Sequence, residues 1–331
     1  MSLSETIETP DHRKLRIGWL DVARGLALLA MATYHLTWDF EYFGYLEPGT
    51  AGHGLPKIYA RMIATSFLFL AGFSLALGHR DRIRWDRFWI RFAKLAAAAV
   101  AITLGTLWFM PQAYIHFGIL HEIALASLIG LAFLRLPVAV TLGVALLVFL
   151  LPQVYRSEAF NLPWLWWTGL APKPPQSFDF VPVFPWLSAV LVGIALGNLE
   201  GVRRWLSGLG QPGRVFRPFA WAGRRSLPIY LLHQIPLFGL VYLLTLVVPP
   251  DRGPAYLSDC RRTCEASGGG ELCERFCTCT LDGLKKGNML EGLQTGKIRT
   301  EDDRIQSLAL QCSMDAQQPA APQSQPEAQP Q

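Results

Sequence analysis

The chain has 331 residues, of which 51% are hydrophobic and only 17% charged, with a formal net charge of +5. Soluble domains carry about 25% charged residues, so the composition is that of a membrane protein. It excludes a cytosolic enzyme, a nucleic-acid-binding protein and a secreted protein. The positive charge is no sign of affinity for nucleic acid, because the basic residues sit between apolar runs, where topology accounts for them.

A helix needs about 20 mostly apolar residues to cross roughly 30 Å of hydrocarbon. Seven runs qualify, at about 17–38, 58–78, 88–110, 116–134, 137–155, 183–199 and 226–248. The fourth and fifth are joined by Arg135-Leu136-Pro137, a tight helical hairpin. The first is too long for a cleavable signal peptide, carries Asp21 and Arg24 early, and lacks a small-residue cleavage site. Arg13, Lys14 and Arg16 precede it. Arg80, Arg82, Arg84, Arg87 and Arg91 fill the second loop, and Arg203, Arg204, Arg214, Arg217, Arg224 and Arg225 the sixth, while alternate loops are nearly bare of Lys and Arg. The positive-inside bias therefore places the N-terminus in the cytoplasm, and seven crossings place the C-terminus outside.

All six cysteines follow the last span, in the compartment that this topology makes oxidising. Cys260 and Cys264 are four apart, as are Cys273 and Cys277, so each pair shares a helix face. Ser267-Gly268-Gly269-Gly270 supplies a turn between them. An antiparallel helical hairpin closed by Cys260–Cys277 and Cys264–Cys273 suits the spacing best, leaving Cys279 to pair with Cys312. Six cysteines permit many connectivities, and spacing states only a preference. A thiolate metal site is the rival reading. Such sites more often show C-x2-C spacing with companion histidines, and this tail has no His, so no metal is expected.

The expected fold is all-α, a polytopic membrane helical bundle of about seven transmembrane helices with a small disulfide-stapled C-terminal tail. In chain order it has a cytoplasmic segment over 1–16, a transmembrane domain over 17–248, an extracytoplasmic cysteine-rich helical domain over 249–315 and a disordered, low-complexity tail over 316–331. The expected location is the cell inner membrane, multi-pass, in contact with membrane lipid and with the tail in the periplasm.

Ionisable residues inside spans are expensive, and each is a functional candidate. Asp21 and Arg24 are neighbours on one helix face; they form a structural ion pair, or Arg24 helps hold an anionic ligand arriving from the cytoplasm. His35 and Asp39 are four apart near the outer end of the same span. A carboxylate one turn from an imidazole fixes its tautomer and raises its basicity, although an interfacial His beside a solvated Asp has the same spacing. His121 and Glu122 fall inside the fourth span, pointing about 100° apart, and His233 lies a third of the way into the last. Trp164, Trp166 and Trp167 in the fifth loop either anchor a surface segment or stack on a sugar ring. No P-loop, GxGxxG or HExxH motif, internal repeat or pair of matching broken helices occurs, which counts against a nucleotide-driven pump, a membrane metalloprotease and a repeat-built carrier.

Six stretches, in order, resemble the bacterial relatives of heparan-α-glucosaminide N-acetyltransferase, among the multi-span membrane acyltransferases. The first is Arg16-x-x-x-Leu20-Asp21-x-x-Arg24-Gly25 with His35 and Asp39 further on, followed by Phe67-Leu-Phe-Leu-Ala-Gly72-Phe-Ser74 and His116-Phe-Gly-Ile-Leu-His121-x-Ile-Ala. Then come Phe180-Val-Pro182-x-Phe-Pro185-Trp186, Val192-Gly193-Ile-Ala-Leu-Gly197 and Gly223-Arg224-Arg225-Ser226-Leu-Pro-Ile-Tyr230-Leu-Leu-His233-Gln234. The likeness runs from about Arg16 to Val248 and leaves the cysteine tail outside.

The resemblance implies transfer of an acetyl group from cytoplasmic acetyl-CoA, with no metal, to an amine or hydroxyl of a saccharide on the far side. His35 matches the family's catalytic position. Charge and sidedness make Arg24, Arg224 and Arg225 candidate contacts to CoA phosphates, and leave His121, Glu122, His233 and Trp166 as candidate acceptor contacts. His35 lies eleven residues after Arg24, about 16 Å along a helix, a distance that a pantetheine arm spans. The competing readings are a transporter or flippase of a small solute or lipid-linked sugar, with the buried His and Glu as a proton relay, and a scaffold whose stapled tail binds an envelope partner.

Overall fold

The computed structural model describes residues 18–79, 82–266, 269–294 and 297–317, and no strand occurs among them. The segment 1–16 with Arg16 of the opening motif, Arg80, Ser267 and Gly268 of the expected turn, and the tail from 318 onward lie outside the described residues. Ala316 and Gln317, placed by sequence in that tail, still belong to the last helix.

Helices α1 (Gly18–Tyr42), α2 (Gly54–Gly78) and α3 (Trp85–Phe109) have 25 residues each, about 37 Å at 1.5 Å per residue. They are rich in Leu, Ala, Phe and Ile with no proline beyond Pro56 in the first turn of α2, so the backbone groups of their middle turns are satisfied within the helix, as an apolar surrounding requires. The next three are shorter. α4 (Ile119–Gly130) continues as a 3-10 turn over Leu131–Phe133, α5 covers Val138–Val154 and α6 covers Val183–Asn198. Prolines explain the shortening: Pro111 follows the end of α3, Pro137 caps α5, and Pro163, Pro172, Pro174 and Pro175 keep the stretch between α5 and α6 from forming a long helix. Beyond α6 come α7 (Glu200–Gly208), α8 (Arg217–Arg224), α9 (Ser226–Leu232) and α10 (Gln234–Val247).

Among the described residues three helices are long and apolar enough to cross a membrane: α2, α3 and the α9–α10 stretch Ser226–Val247. A fourth results if α6 and α7, bent 76° from each other, count as one span. α1 is equally long but holds Asp21, Arg24, His35 and Asp39.

The chain divides into two compact units. The first takes the start of α1 up to Tyr34 and continues from Lys57 to Pro236. Its core joins α2, α4, α5 and α6 around Leu68, Leu75, Ala126, Ala145, Val190, Leu191 and Ile194. Backbones touch at two crossings. A Cβ on Gly72 would lie 2.0 Å from the carbonyl oxygen of Val190, and one on Gly193 2.2 Å from that of Phe69, so α2 and α6 meet through glycine. Likewise a Cβ on Gly25 would meet the Phe219 carbonyl oxygen at 2.1 Å and one on Gly223 that of Asp21 at 1.8 Å, which seats α8 against α1. Gly72→Val is therefore expected to cost about 1–3 kcal/mol or more through overpacking. A drop in the thermal midpoint of the detergent-purified protein checks this, and an unchanged midpoint would disprove the crossing.

Residues 110–118 and 176–181 run beside each other without forming a strand. The Phe178 and Val181 amides donate to the carbonyls of Ala113 and Phe117, each at 3.0 Å, and the Ser177 hydroxyl donates to the Tyr114 carbonyl. Non-helical backbone is thus satisfied where it packs at the ends of α3, α4 and α6.

The second unit takes His35–Pro56 and the chain from Leu237 onward. The Glu41 carboxylate accepts the amides of Gly49 and Ala51, both at 2.6 Å, and so ties the loop after α1 back to that helix. α11 (Gly253–Glu265), α12 (Gly270–Lys286), α13 (Leu290–Gln294) and α14 (Asp303–Gln317) follow. Cys260–Cys277 and Cys264–Cys273 join α11 to α12, and Cys279–Cys312 joins α12 to α14. Among the described residues of α11 to α14 the interior is small, built mainly from Leu281, Leu284, Ala316 and the buried Cys273, Cys277 and Cys312, so cross-links hold what so small a core would not.

Candidate active site

A cavity of about 410 Å³ opens within the first unit. α3 places Arg87, Arg91 and Lys94 along it, spaced i, i+4 and i+7 and therefore on one helix face. Arg24 of α1 joins them. The apolar wall comes from Phe67, Leu70 and Ala71 of α2, Leu120 and Ile123 of α4, and Leu227 and Tyr230 of α9. Among the described residues four cations and no carboxylate line it.

Arg24 is held in place. Its Nη1 donates to Asp21 Oδ1 at 2.7 Å and its Nη2 to Ser74 Oγ at 2.5 Å. The Ser74 hydroxyl in turn donates to the Leu70 carbonyl. Asp21 is 2% exposed, so it balances one of the four charges from behind the cavity wall. Arg87, Arg91 and Lys94 make no ion pair among the described residues. A smaller cavity of about 160 Å³ shares Arg87, Arg91 and Leu95 with the first and adds His79 and Arg84. Arg84 donates through Nε and Nη2 to the Gly78 carbonyl and closes the C-terminus of α2. The result is a positively charged hollow with an apolar inner wall, suited to a polyanion with a slender uncharged extension.

The other residues singled out by sequence fall in separate places. His35, half-buried, and Asp39, fully buried, lie one turn apart on the α1 stretch of the second unit. His121 has both ring nitrogens engaged: Nδ1 accepts the Gly118 amide at 3.2 Å and Nε2 lies 3.3 Å from the Thr103 hydroxyl. Thr103 already donates to the Ile115 carbonyl at 2.8 Å, so Nε2 carries the proton and the ring clasps α3 to the start of α4. Glu122 is fully buried, with neither carboxylate oxygen hydrogen-bonded among the described residues. His233 stands at the break between α9 and α10, with Nδ1 2.7 Å from the Tyr230 carbonyl. Trp166 donates to the Asn161 carbonyl at 2.9 Å and meets the His116 ring edge-on at 4.9 Å. Arg224 and Arg225 stand outside the cavity lining, Arg225 lying 4.7 Å over the Trp221 ring.

Arg87 and Arg91 read in sequence as topology-setting charges and Lys94 is not singled out there, yet the spacing of the three along one face is a legible sign of a shared surface. Asp179 carried no local sign. It lies just before α6, outside the spans, and accepts the Ile119 amide at 2.8 Å at the start of α4. Burial pushes its carboxyl up to about 6, against the opposing pull of that amide. A carboxyl raised above its unfolded value near 3.9 contributes stability that is fully present below about 3.9 and is lost as pH rises through about 6. The thermal midpoint of the wild type is expected to fall between pH 4 and 7 relative to that of Asp179→Asn, whose amide oxygen still accepts the Ile119 N–H. Parallel profiles for the two proteins would show that Asp179 titrates normally.

An all-helical membrane protein built around a cationic, apolar-walled cavity is the class that fold and site define. Residues 16–235 match the family described as heparan-alpha-glucosaminide N-acetyltransferase, catalytic, and the chain belongs to that family. Its class of activity is that of a membrane acetyltransferase, and membership does not favour a transporter. No curated protein and no solved structure matches the chain.

Proposed function

We propose that the chain transfers an acetyl group from cytoplasmic acetyl-CoA to an amine or hydroxyl of a cell-envelope saccharide on the outer side of the inner membrane. The observation that carries this is the cavity lined by Arg24, Arg87, Arg91 and Lys94, with no carboxylate in its lining among the described residues. CoA is polyanionic at one end and a thin, uncharged pantetheine thioester at the other. Its phosphates match the cations of α1 and α3, and its arm matches the wall formed by Leu70, Leu120, Ile123 and Tyr230.

The reading takes all seven apolar runs as crossings with the N-terminus inside, so that the cationic ends of α1 and α3 face the donor's compartment. The tail is then periplasmic. His35 acts as general base: it removes a proton from the acceptor's amine or hydroxyl as that group attacks the thioester carbonyl, and the CoA thiolate leaves. Asp39 is the positioning residue that orients the imidazole. His233, Glu122 and Trp166 are the residues through which the acceptor is expected to be held.

The test is thiol release from acetyl-CoA by the purified protein in detergent, with glucosamine or mixed envelope glycans as acceptors. Release that requires an acceptor is expected, and the mass of the product with its stability to mild alkali separates N- from O-acetylation. Failure both to bind and to consume acetyl-CoA would overturn the proposal.

A further inference from the structure

The stretch from Glu200 to Arg225 contains six arginines against a single carboxylate, Glu200. Sequence alone treats it as a loop, but it folds into α7 and α8. At 100° per residue, Val202, Trp205, Leu206 and Leu209 fall on one side of α7, and Glu200, Arg203, Arg204 and Ser207 on the other. No residue of α7 is buried, and on the apolar side Trp205 is 65% exposed. A 76° bend separates this helix from α6, so the two run nearly at right angles.

α8 has a different division of labour. Its Phe219, Ala220 and Gly223 side packs on α1 at the glycine crossing described above. Its other side displays Arg217, Trp221 and Arg224, all exposed. The connection between the two helices is fixed to the start of α1, where Trp19 Nε1 donates to the Leu209 carbonyl at 3.3 Å and stacks obliquely on Phe216 at 5.1 Å. Val215, beside Phe216, is 78% exposed. Exposed Trp, Leu and Val crowned by arginine, on a segment held at the end of the spans, is the composition of a helix lying in a membrane interface.

We propose that α7 and α8 form an interfacial platform that binds anionic phospholipid headgroups, with Trp205, Leu209 and Val215 entering the acyl boundary and Arg204, Arg214, Arg217 and Arg224 meeting lipid phosphates. Charge complementarity selects the occupant: the surface is cationic and apolar at once, and an anionic leaflet offers the matching pair of layers. This assigns Arg224 to lipid rather than to the acetyl donor. It is independent of the proposed reaction, and of which side of the membrane is cytoplasmic.

The full-length protein would be placed in nanodiscs of mixed phosphatidylglycerol and phosphatidylcholine, released into detergent, and its retained lipids counted by native mass spectrometry. The wild type is expected to enrich phosphatidylglycerol by about fivefold or more, the effect of a single basic residue near an anionic surface. Arg204→Gln/Arg214→Gln/Arg217→Gln/Arg224→Gln should abolish the enrichment, and the matching four-lysine variant should restore most of it, which separates lost charge from lost folding. Equal retention of the two lipids by the wild type, or undiminished enrichment in the glutamine variant, would overturn the proposal. So would displacement of the retained lipid by free CoA, since the arginines would then serve the donor.

Discussion

His35→Ala is expected to lower acceptor-dependent release of CoA by about 10²–10⁴-fold, the usual worth of a positioned general base, while acetyl-CoA binding changes little. The two effects separate because the cations lining the cavity, Arg24, Arg87, Arg91 and Lys94, do not include the histidine. Asp39→Asn should give a smaller loss, confined to kcat, because an orienting group acts only through the ring it holds; a carboxylate buried as completely as Asp39 has a fixed geometry to lend. Its positioning role has a signature of its own. The pH dependence of kcat should change in Asp39→Asn, whereas a purely structural carboxylate would lower the yield of folded protein and leave the profile of the remainder unaltered. Release indifferent to His35 would remove that residue from the mechanism and leave the family's reaction without its assigned base.

Hydrophobic runs alone located most of the first unit's helices, because a spanning segment must be long, apolar and free of breakers. The runs at about 17–38, 58–78 and 88–110 correspond to α1, α2 and α3, and the last run to Ser226–Val247. What composition could not reveal was length in space. α4, α5 and α6 are shorter than the 25-residue α1, α2 and α3, because the prolines between them turn the chain into irregular segments whose amides are satisfied by one another, as Phe178 and Val181 are by Ala113 and Phe117. Such pairing joins residues more than sixty positions apart and leaves no local periodicity. α7 was missed for the opposite reason. Its 3.6-residue pattern is clear, but it is too short and too basic to register as a span.

The candidate site was legible where charge is costly and obscure where it is cheap. Arg24 drew notice because an arginine inside a span needs a reason, and the structure supplies one in Asp21, Ser74 and the cavity. Arg87 and Arg91 escaped notice because basic residues at a span's end already have an explanation in topology. His121 shows the reverse case: a histidine within a span invites a chemical role, and the structure gives both of its nitrogens partners that join α3 to α4. The motif glycines are explained by packing, since Gly25, Gly72, Gly193 and Gly223 all stand where a side chain would strike a neighbouring backbone.

Arg91→Glu is the substitution expected to injure donor binding most. Arg91 borders both cavities and has no carboxylate partner among the described residues, so its charge is available to a phosphate. Hydrogen bonds to charged groups are worth about 1.5–3 kcal/mol, which is roughly 10–100-fold in affinity, and reversing the sign adds repulsion from a second anion. The KM for acetyl-CoA should rise by at least that factor, with kcat at saturating donor within a few-fold of the wild type. Arg91→Lys should recover much of the loss, because a point charge still attracts phosphate although the planar fork is gone. The decisive comparison uses acetyl-pantetheine, which keeps the thioester and the arm but has no phosphate. Its KM should be the same in the wild type and in Arg91→Glu. An equal rise for both donors would mean that Arg91 supports the cavity's shape rather than reading the phosphates, and the cationic face of α3 would no longer count as part of the donor site.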